Sequence, residues 1–294
     1  MGRKGEGNIR LICNADDFGS SEGVNAGVLR AHREGVLTGT SLMVTGDAAE
    51  QAVALATQTP SLAVGLHLVL INGKAVLPRK DIPHLVDTNG RFRNNAVWAG
   101  LYYFSSRTAQ RELLREMVAQ FDRFAATGLP LSHCDGHLLM HVHPTVMGRL
   151  IPLAEQYGAH GLRLPRDDLR LSLKHSRRSW GLKIVWAFLF GLVTRWCSHR
   201  LQAHPLAVTD HVYGLLQSGH MDEAYVIDLL QRLNSPTAEI YFHPSERDEG
   251  EAYGPNRADL NTLLSRRVYN VIQQRGIQLV TYASLDPTGC EDSP

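Results

Sequence analysis

Arg10-Leu11-Ile12-Cys13-Asn14-Ala15-Asp16-Asp17-Phe18-Gly19 is a short apolar run closing on two adjacent carboxylates and a glycine. A run of this length bounded by a turn signal reads as a buried strand, Arg10 to Asn14, and the segment after it, Glu22 to Glu34, has helical period. The same alternation recurs downstream. Candidate strands are Thr40 to Val44, Leu62 to Leu68, Pro130 to Asp135, Gly161 to Leu164, Ala207 to His211, Glu239 to His243 and Gln278 to Tyr282. Candidate helices are Thr108 to Thr127, Met221 to Leu233 and Arg257 to Arg275. Repeated βα units predict an α/β fold around a mostly parallel sheet, a TIM-like (β/α) barrel with room for one irregular or missing strand. At 294 residues and 44% hydrophobic content the chain, 1-294, reads as a single domain, with insertions at about 71-107 and 165-206. Insertions of that length usually form functional loops or lids.

Composition narrows the function classes. A formal net charge of +1 gives no global field that would draw the molecule onto nucleic acid. Cys13, Cys134, Cys197 and Cys290 form no CxxC pair, which argues against a zinc knuckle, a redox motif or a disulfide framework and fits reduced thiols of a cytoplasmic protein. The start, MGRKGEGNIR, is polar and glycine-rich, without the apolar core of a secretory signal.

The chemistry gathers where polar residues end apolar runs. Asp16 and Asp17 end the first strand, His67 lies within Val64-Gly65-Leu66-His67-Leu68, His133-Cys134-Asp135-Gly136-His137 ends the fourth, and His243 closes Ile240-Tyr241-Phe242-His243. In barrels and open α/β sheets the carboxyl ends of parallel strands converge on one face, so these residues can meet in one pocket. Asp and His suit a borderline divalent cation. Each has an ordinary reading too: an Asp pair after a strand can cap the next helix, and a lone His can be a hydrogen-bonded core residue. His133, His137, His141 and His143 within eleven residues favour ligation or catalysis over packing.

These segments resemble a known family. Asn14 to Gly19 is similar to the N-A-D-D-F-G opening of YdjC-like (ChbG-type) carbohydrate deacetylases, Gly65 to Leu68 to their G-x-H-L segment, and Ser132 to Pro144 to their S-H-x-D-G/S-H-x-H-x-H block. Leu139 stands where that block has a histidine, so His141 and His143 stay open beside His137 as the third ligand. The resemblance implies Asp17, His67 and His137 around one divalent metal ion, zinc or magnesium first, with manganese, cobalt or nickel also compatible. It implies Asp16 as general base and His243 as the acid, with Asp135 orienting a ligand imidazole. The substrate it implies is an N-acetylglucosaminyl lipid or oligosaccharide. Leu162-Arg163-Leu164-Pro165-Arg166 and the second insertion resemble members associated with hopanoid biosynthesis, which points to a hopanoid-linked glycolipid.

That insertion carries Ile184 to Val193, ten uninterrupted apolar residues between Lys183 and Arg195, with Trp180, Trp186 and Trp196 nearby. The run is shorter than the roughly 20 residues of a spanning helix, so peripheral contact of 180-196 with the inner membrane face is expected instead. Packing in the core or in a homodimer interface is the plainer alternative. Another metal-dependent hydrolase, or a binding protein without turnover, would share the same residue types.

Overall fold

The computed structural model describes residues 9–248 and 254–287; the glycine-rich start and Cys290 lie outside them. Strand β1 (Arg10–Phe18) pairs in parallel with β2 (Gly39–Leu42) on one edge and with β7 (Thr237–Phe242) on the other. The sheet continues past β2 through β3 (Ala63–Leu68), β4 (His133–Gly136) and β5 (Gly161–Leu162), and past β7 to β6 (His211–Tyr213), in the order β5-β4-β3-β2-β1-β7-β6. β8 (Gln278–Leu279) occupies the lower edge of β1 at Arg10 and Leu11, below the point where β2 begins to pair. The ends of the curled sheet meet only through isolated bridges, Gly161 to Ala207 and Arg166 to Val212. This is the TIM-like arrangement with irregular closure.

β1 is buried along its length apart from Arg10. Covered on both faces, it reads as a continuous apolar run rather than an alternation. Helices α1 (Glu22–Glu34), α2 (Ala49–Thr57), α4 (Arg107–Ala125), α5 (Pro144–Gln156) and α8 (Glu223–Arg232) cover the sheet. In α4 the buried Leu113, Met117, Phe121 and Phe124 recur every third or fourth residue, the period of a one-sided apolar stripe. The expected helix from Arg257 to Arg275 is two helices, α9 (Arg257–Leu263) and α10 (Arg266–Gln274), because Ser265 between them accepts hydrogen bonds from Arg267 N and Val268 N and starts the second.

The sixth strand begins later than its apolar run suggests. Ala207 makes only its bridge to Gly161, and the Asp210 carboxylate accepts hydrogen bonds from Thr237 N at 2.9 Å and Thr237 Oγ1 at 2.7 Å. A side chain thus replaces the ladder, which resumes at His211.

The first insertion ends in α3 (Ala96–Ser105) and is pinned by Tyr103 Oη, which donates to Leu70 O at 2.7 Å, and by Glu116, which accepts from Val76 N and Leu77 N. The second forms α6 (Leu169–His175) and α7 (Trp180–Leu201). α7 is 22 residues long, twice the uninterrupted apolar run, because the helix continues through Lys183 and Arg195, and by length and composition alone it could cross a membrane. Its last turns are docked, with Thr194, Cys197 and Leu201 buried and Thr194 Oγ1 donating to Pro165 O at 2.7 Å.

At Gly161 an added Cβ would lie 2.1 Å from Tyr282 Cδ1 and 2.7 Å from Ala207 O, so sheet closure requires glycine there. Gly161→Ala is expected to lower stability by about 1–3 kcal/mol. A urea midpoint equal to that of the parent would contradict this reading of the closure.

Candidate functional site

Two adjacent residues of a regular strand face opposite ways, yet Asp16 and Asp17 line the same pocket. A bulge makes this possible. Ala15 pairs with Thr40 and Phe18 with Leu42, three steps on β1 against two on β2. Asp17 takes the extra step with φ of 64°, a left-handed conformation that Asp tolerates better than most residues. Gly19, at φ of 92°, completes the turn, and a Cβ there would meet Met43 O at 3.1 Å.

Asp17 Oδ1 lies 3.1 Å from His137 Nδ1 and 3.4 Å from His67 Nε2. The donor atoms of these three residues lie within 4.8 Å of one another, close enough to share one ion. Burial would raise the Asp17 pKa, but the adjacent His137 and His67 imidazoles, by charge and hydrogen bonding, hold it well below the usual carboxylate range. On its far side His67 Nδ1 donates to Asp135 Oδ1 at 2.8 Å, as β3–β4 register sets His67 opposite Asp135. That bond leaves Nε2 facing Asp17. Ser41 Oγ donates to the other Asp135 oxygen at 2.7 Å.

Arg163, one residue beyond β5, is wholly buried at the centre of this network. Nη1 and Nη2 donate to the two Asp16 oxygens at 2.7 and 2.8 Å, Nη1 lies 2.8 Å from Asp135 Oδ2, and Nε donates to Glu239 Oε1 at 2.9 Å. Tyr282 Oη donates to the remaining Glu239 oxygen at 2.6 Å, and the guanidinium stacks over the Tyr241 ring at 4.5 Å. Desolvation works against the charged guanidinium, but the three carboxylates outweigh it and keep Arg163 a cation. A second grouping, Asp16, His67 and Asp135, is also compact enough for an ion. There the guanidinium already bridges Asp16 and Asp135 and supplies the positive charge.

The histidine cluster divides. His141 is buried with Nε2 donating to Arg163 O at 3.1 Å, and burial depresses its pKa to about 4. His143 accepts from Thr145 N at the start of α5. Neither belongs to the Asp17 grouping, which takes His137. His133 is buried and stacked on Tyr282, its pKa lowered to about 4 by desolvation. His243, just past β7, lines the same pocket as Asp16 and Asp17. Its backbone N donates to Asp259 Oδ2 at 2.9 Å, and its Nδ1 has no hydrogen-bond partner among the described residues.

The pocket holds about 490 Å³ and is lined by Asp16, Asp17, His67, His137 and His243 together with the apolar Leu138, Leu139, Leu182, Trp186 and Phe190. Asp17, Asn72 and His137 also border a second, polar groove of about 270 Å³ lined by Thr45, Asp47, Lys74 and Arg91. Asp17 and His137 are thus shared by a largely apolar pocket and a polar groove. Arg163 and Glu239 escaped the reading of the sequence as site residues. The signal was a charge set inside an apolar strand run, in Gly161-Leu162-Arg163-Leu164 and in Ala238-Glu239-Ile240.

Fold and site together define an α/β barrel with a cation-competent pocket at the carboxyl ends of its strands. Residues 10–274 match the family described as YdjC-like protein, and the chain belongs to that family. It is 34% identical over 289 residues to the carbohydrate deacetylase of Brevibacillus brevis, covering 94% of this chain and all of that one. It is 32% identical over 278 residues to the carbohydrate deacetylase of Geobacillus stearothermophilus, covering 92% of this chain and 96% of the relative. Among solved structures, a protein of Enterococcus faecalis V583 provisionally named a cellobiose-phosphate cleavage protein superposes with a TM-score of 0.71 at 27% identity, covering 95% of this chain and 99% of that one.

Removing Arg163 would leave three carboxylates buried around an empty centre. Arg163→Met is expected to cost about 3–5 kcal/mol in stability, and Arg163→Lys less, since it keeps the charge but not the paired donors. Equal denaturation midpoints for Arg163→Met and the parent would contradict this account of the network.

Proposed function

We propose that the chain is a metal-dependent carbohydrate N-deacetylase, in which Asp17, His67 and His137 hold one divalent ion, Asp16 is the general base and His243 the general acid. The observation that carries this reading is the grouping of Asp17 Oδ1, His67 Nε2 and His137 Nδ1 beside a second carboxylate that is tied to Arg163 instead. The donor set fits a borderline ion, and two imidazoles favour zinc over magnesium. The carbohydrate deacetylase names of the relatives support the same chemistry.

When bound, the ion supplies Lewis-acid polarisation of the acetyl carbonyl and acidifies the attacking water. Asp16, oriented by two hydrogen bonds from Arg163, takes the proton from that water as it adds to the carbonyl carbon. His243 gives a proton to the sugar nitrogen as the C–N bond breaks, releasing acetate and a free amine. The polar groove past Asn72 suits sugar hydroxyls, and the Leu182, Trp186 and Phe190 wall suits an apolar aglycone. An N-acetylglucosaminyl glycolipid of hopanoid type fits both, and a soluble chitooligosaccharide would use the polar groove alone.

Burial alone would lower the His67 pKa; the charge and hydrogen bond of Asp135, with help from Asp17, raise it to about 10. Chelator-treated protein at pH 7 therefore carries a proton on His67, and zinc must displace it. Uptake of zinc in weak buffer is expected to release about one proton per ion, with His67→Ala losing both uptake and release. Full zinc occupancy in His67→Ala would refute the ligand assignment.

Asp16→Asn keeps the shape and removes the proton acceptor. It is expected to bind metal normally and to release acetate from N-acetylglucosaminyl oligosaccharide more slowly by roughly 10² or more. If Asp16→Asn loses metal together with activity, Asp16 is a ligand and the roles of the pair are wrong.

A further inference from the structure

α7 touches the barrel along one narrow stripe. Lys183, Ala187, Phe190, Val193, Thr194, Cys197, Ser198 and Leu201 are the half-buried or buried positions, and they follow one face of the helix at intervals of three or four residues. The opposite side is equally apolar and uncovered: Phe188 is 65% exposed and Leu192 55%. A helix that is apolar all round belongs in a protein interior or against lipid, and most of α7 is in neither here. α3 repeats the pattern, with Trp98 67% and Phe104 66% exposed. Both helices pack on α5 and on the turn His137–Val142, so they flank the same turn. Ala96 of α3 and Leu182 and Trp186 of α7 line the candidate active-site pocket, so this face adjoins its mouth.

We propose that the joint face of α3 and α7 docks on the surface of an anionic lipid bilayer. The proposal deepens the deacetylase reading, on which its purpose rests, by naming the surface where a lipid-borne sugar is met. Charge selects this occupant. From Leu169 to Leu201 there are seven arginines and lysines and no acidic residue; apart from Lys174, paired with Asp228, and the inward Lys183, these are the five arginines Arg170, Arg177, Arg178, Arg195 and Arg200. A second copy of the chain would set this basic surround against itself, a like-charge contact, whereas anionic headgroups complement it. Trp196, stacked under the Arg200 guanidinium at 4.3 Å, supplies the amphipathic pairing typical of a membrane interface. The helix lies along the surface rather than through it. Lys183 Nζ donates to Ser172 Oγ at 2.8 Å and to Ser176 O at 3.1 Å near one end, and Thr194 is bonded to Pro165 O toward the other, so both ends are fastened to the same body.

The test is co-sedimentation of the purified full chain with vesicles of phosphatidylcholine alone or mixed with phosphatidylglycerol, with no substrate present. The parent is expected to bind the mixed vesicles roughly tenfold or more tightly than the neutral ones, and added salt should weaken the difference. A variant combining Trp98→Ser, Phe104→Ser, Phe188→Ser and Leu192→Ser touches none of the pocket residues. It should lose vesicle binding while keeping its circular dichroism and its hydrolysis of a soluble N-acetyl sugar. Should that variant misfold, Arg177→Gln with Arg195→Gln should weaken binding to the mixed vesicles alone. A parent that binds neither vesicle, or a variant that binds as the parent does, overturns the proposal. So does a parent dimer that the apolar variant splits without any vesicle binding, which would make the face a subunit interface. Vesicle binding by a protein that deacetylates no sugar would keep the docking surface and reject the deacetylase reading.

Discussion

The Arg163 guanidinium is the contact on which the site depends. It reaches from the end of β5 to Asp16 on β1, Asp135 on β4 and Glu239 on β7, so one buried cation ties together four strands of a sheet that otherwise closes through isolated bridges. A buried charge cluster of this kind is poor as a source of net stability, since desolvation consumes most of the Coulombic gain. What it provides is position. With Asp16 held by paired donors and Asp135 held against His67, the only carboxylate of the group left to face both His67 and His137 is Asp17.

The division between Asp16 and Asp17 follows from the same constraint together with the bulge in β1. Without the extra residue, one carboxylate would point into the helical layer. With it, both face the pocket but turn to different partners, Asp16 toward Arg163 and Asp17 toward two imidazoles. The left-handed backbone at Asp17 is local strain at a pocket-lining position, and the well-packed strand around it supports the cost.

Much of this was legible in the sequence because the physics involved is local. Apolar runs of strand length marked seven of the eight strands and missed most of β6, and polar residues at their ends marked Asp16, Asp17, His67, His137 and His243 as pocket residues. The parts that were not legible depend on partners distant in the chain. Arg163 read as part of the short strand run Gly161 to Leu164, since nothing in its neighbours reveals carboxylates 28, 76 and 147 positions away, in Asp135, Glu239 and Asp16. The choice of His137 over His141 and His143 rests on the turn after β4, where Leu138 and Leu139 take left-handed conformations that no spacing rule foretells. α7 was underestimated because Lys183 and Arg195 looked like its boundaries, when one is tethered along the inner stripe and the other is simply exposed.

The central claim is that one divalent ion sits among Asp17, His67 and His137 while Asp16 stays with Arg163. Anomalous diffraction at the zinc edge from crystals grown with zinc tests it most directly. The account predicts a single strong peak within bonding distance, about 2.0–2.2 Å, of a carboxylate oxygen of Asp17, of His67 Nε2 and of a ring nitrogen of His137. A peak between Asp16 and Asp135, or one ligated by His141 or His143, would contradict it.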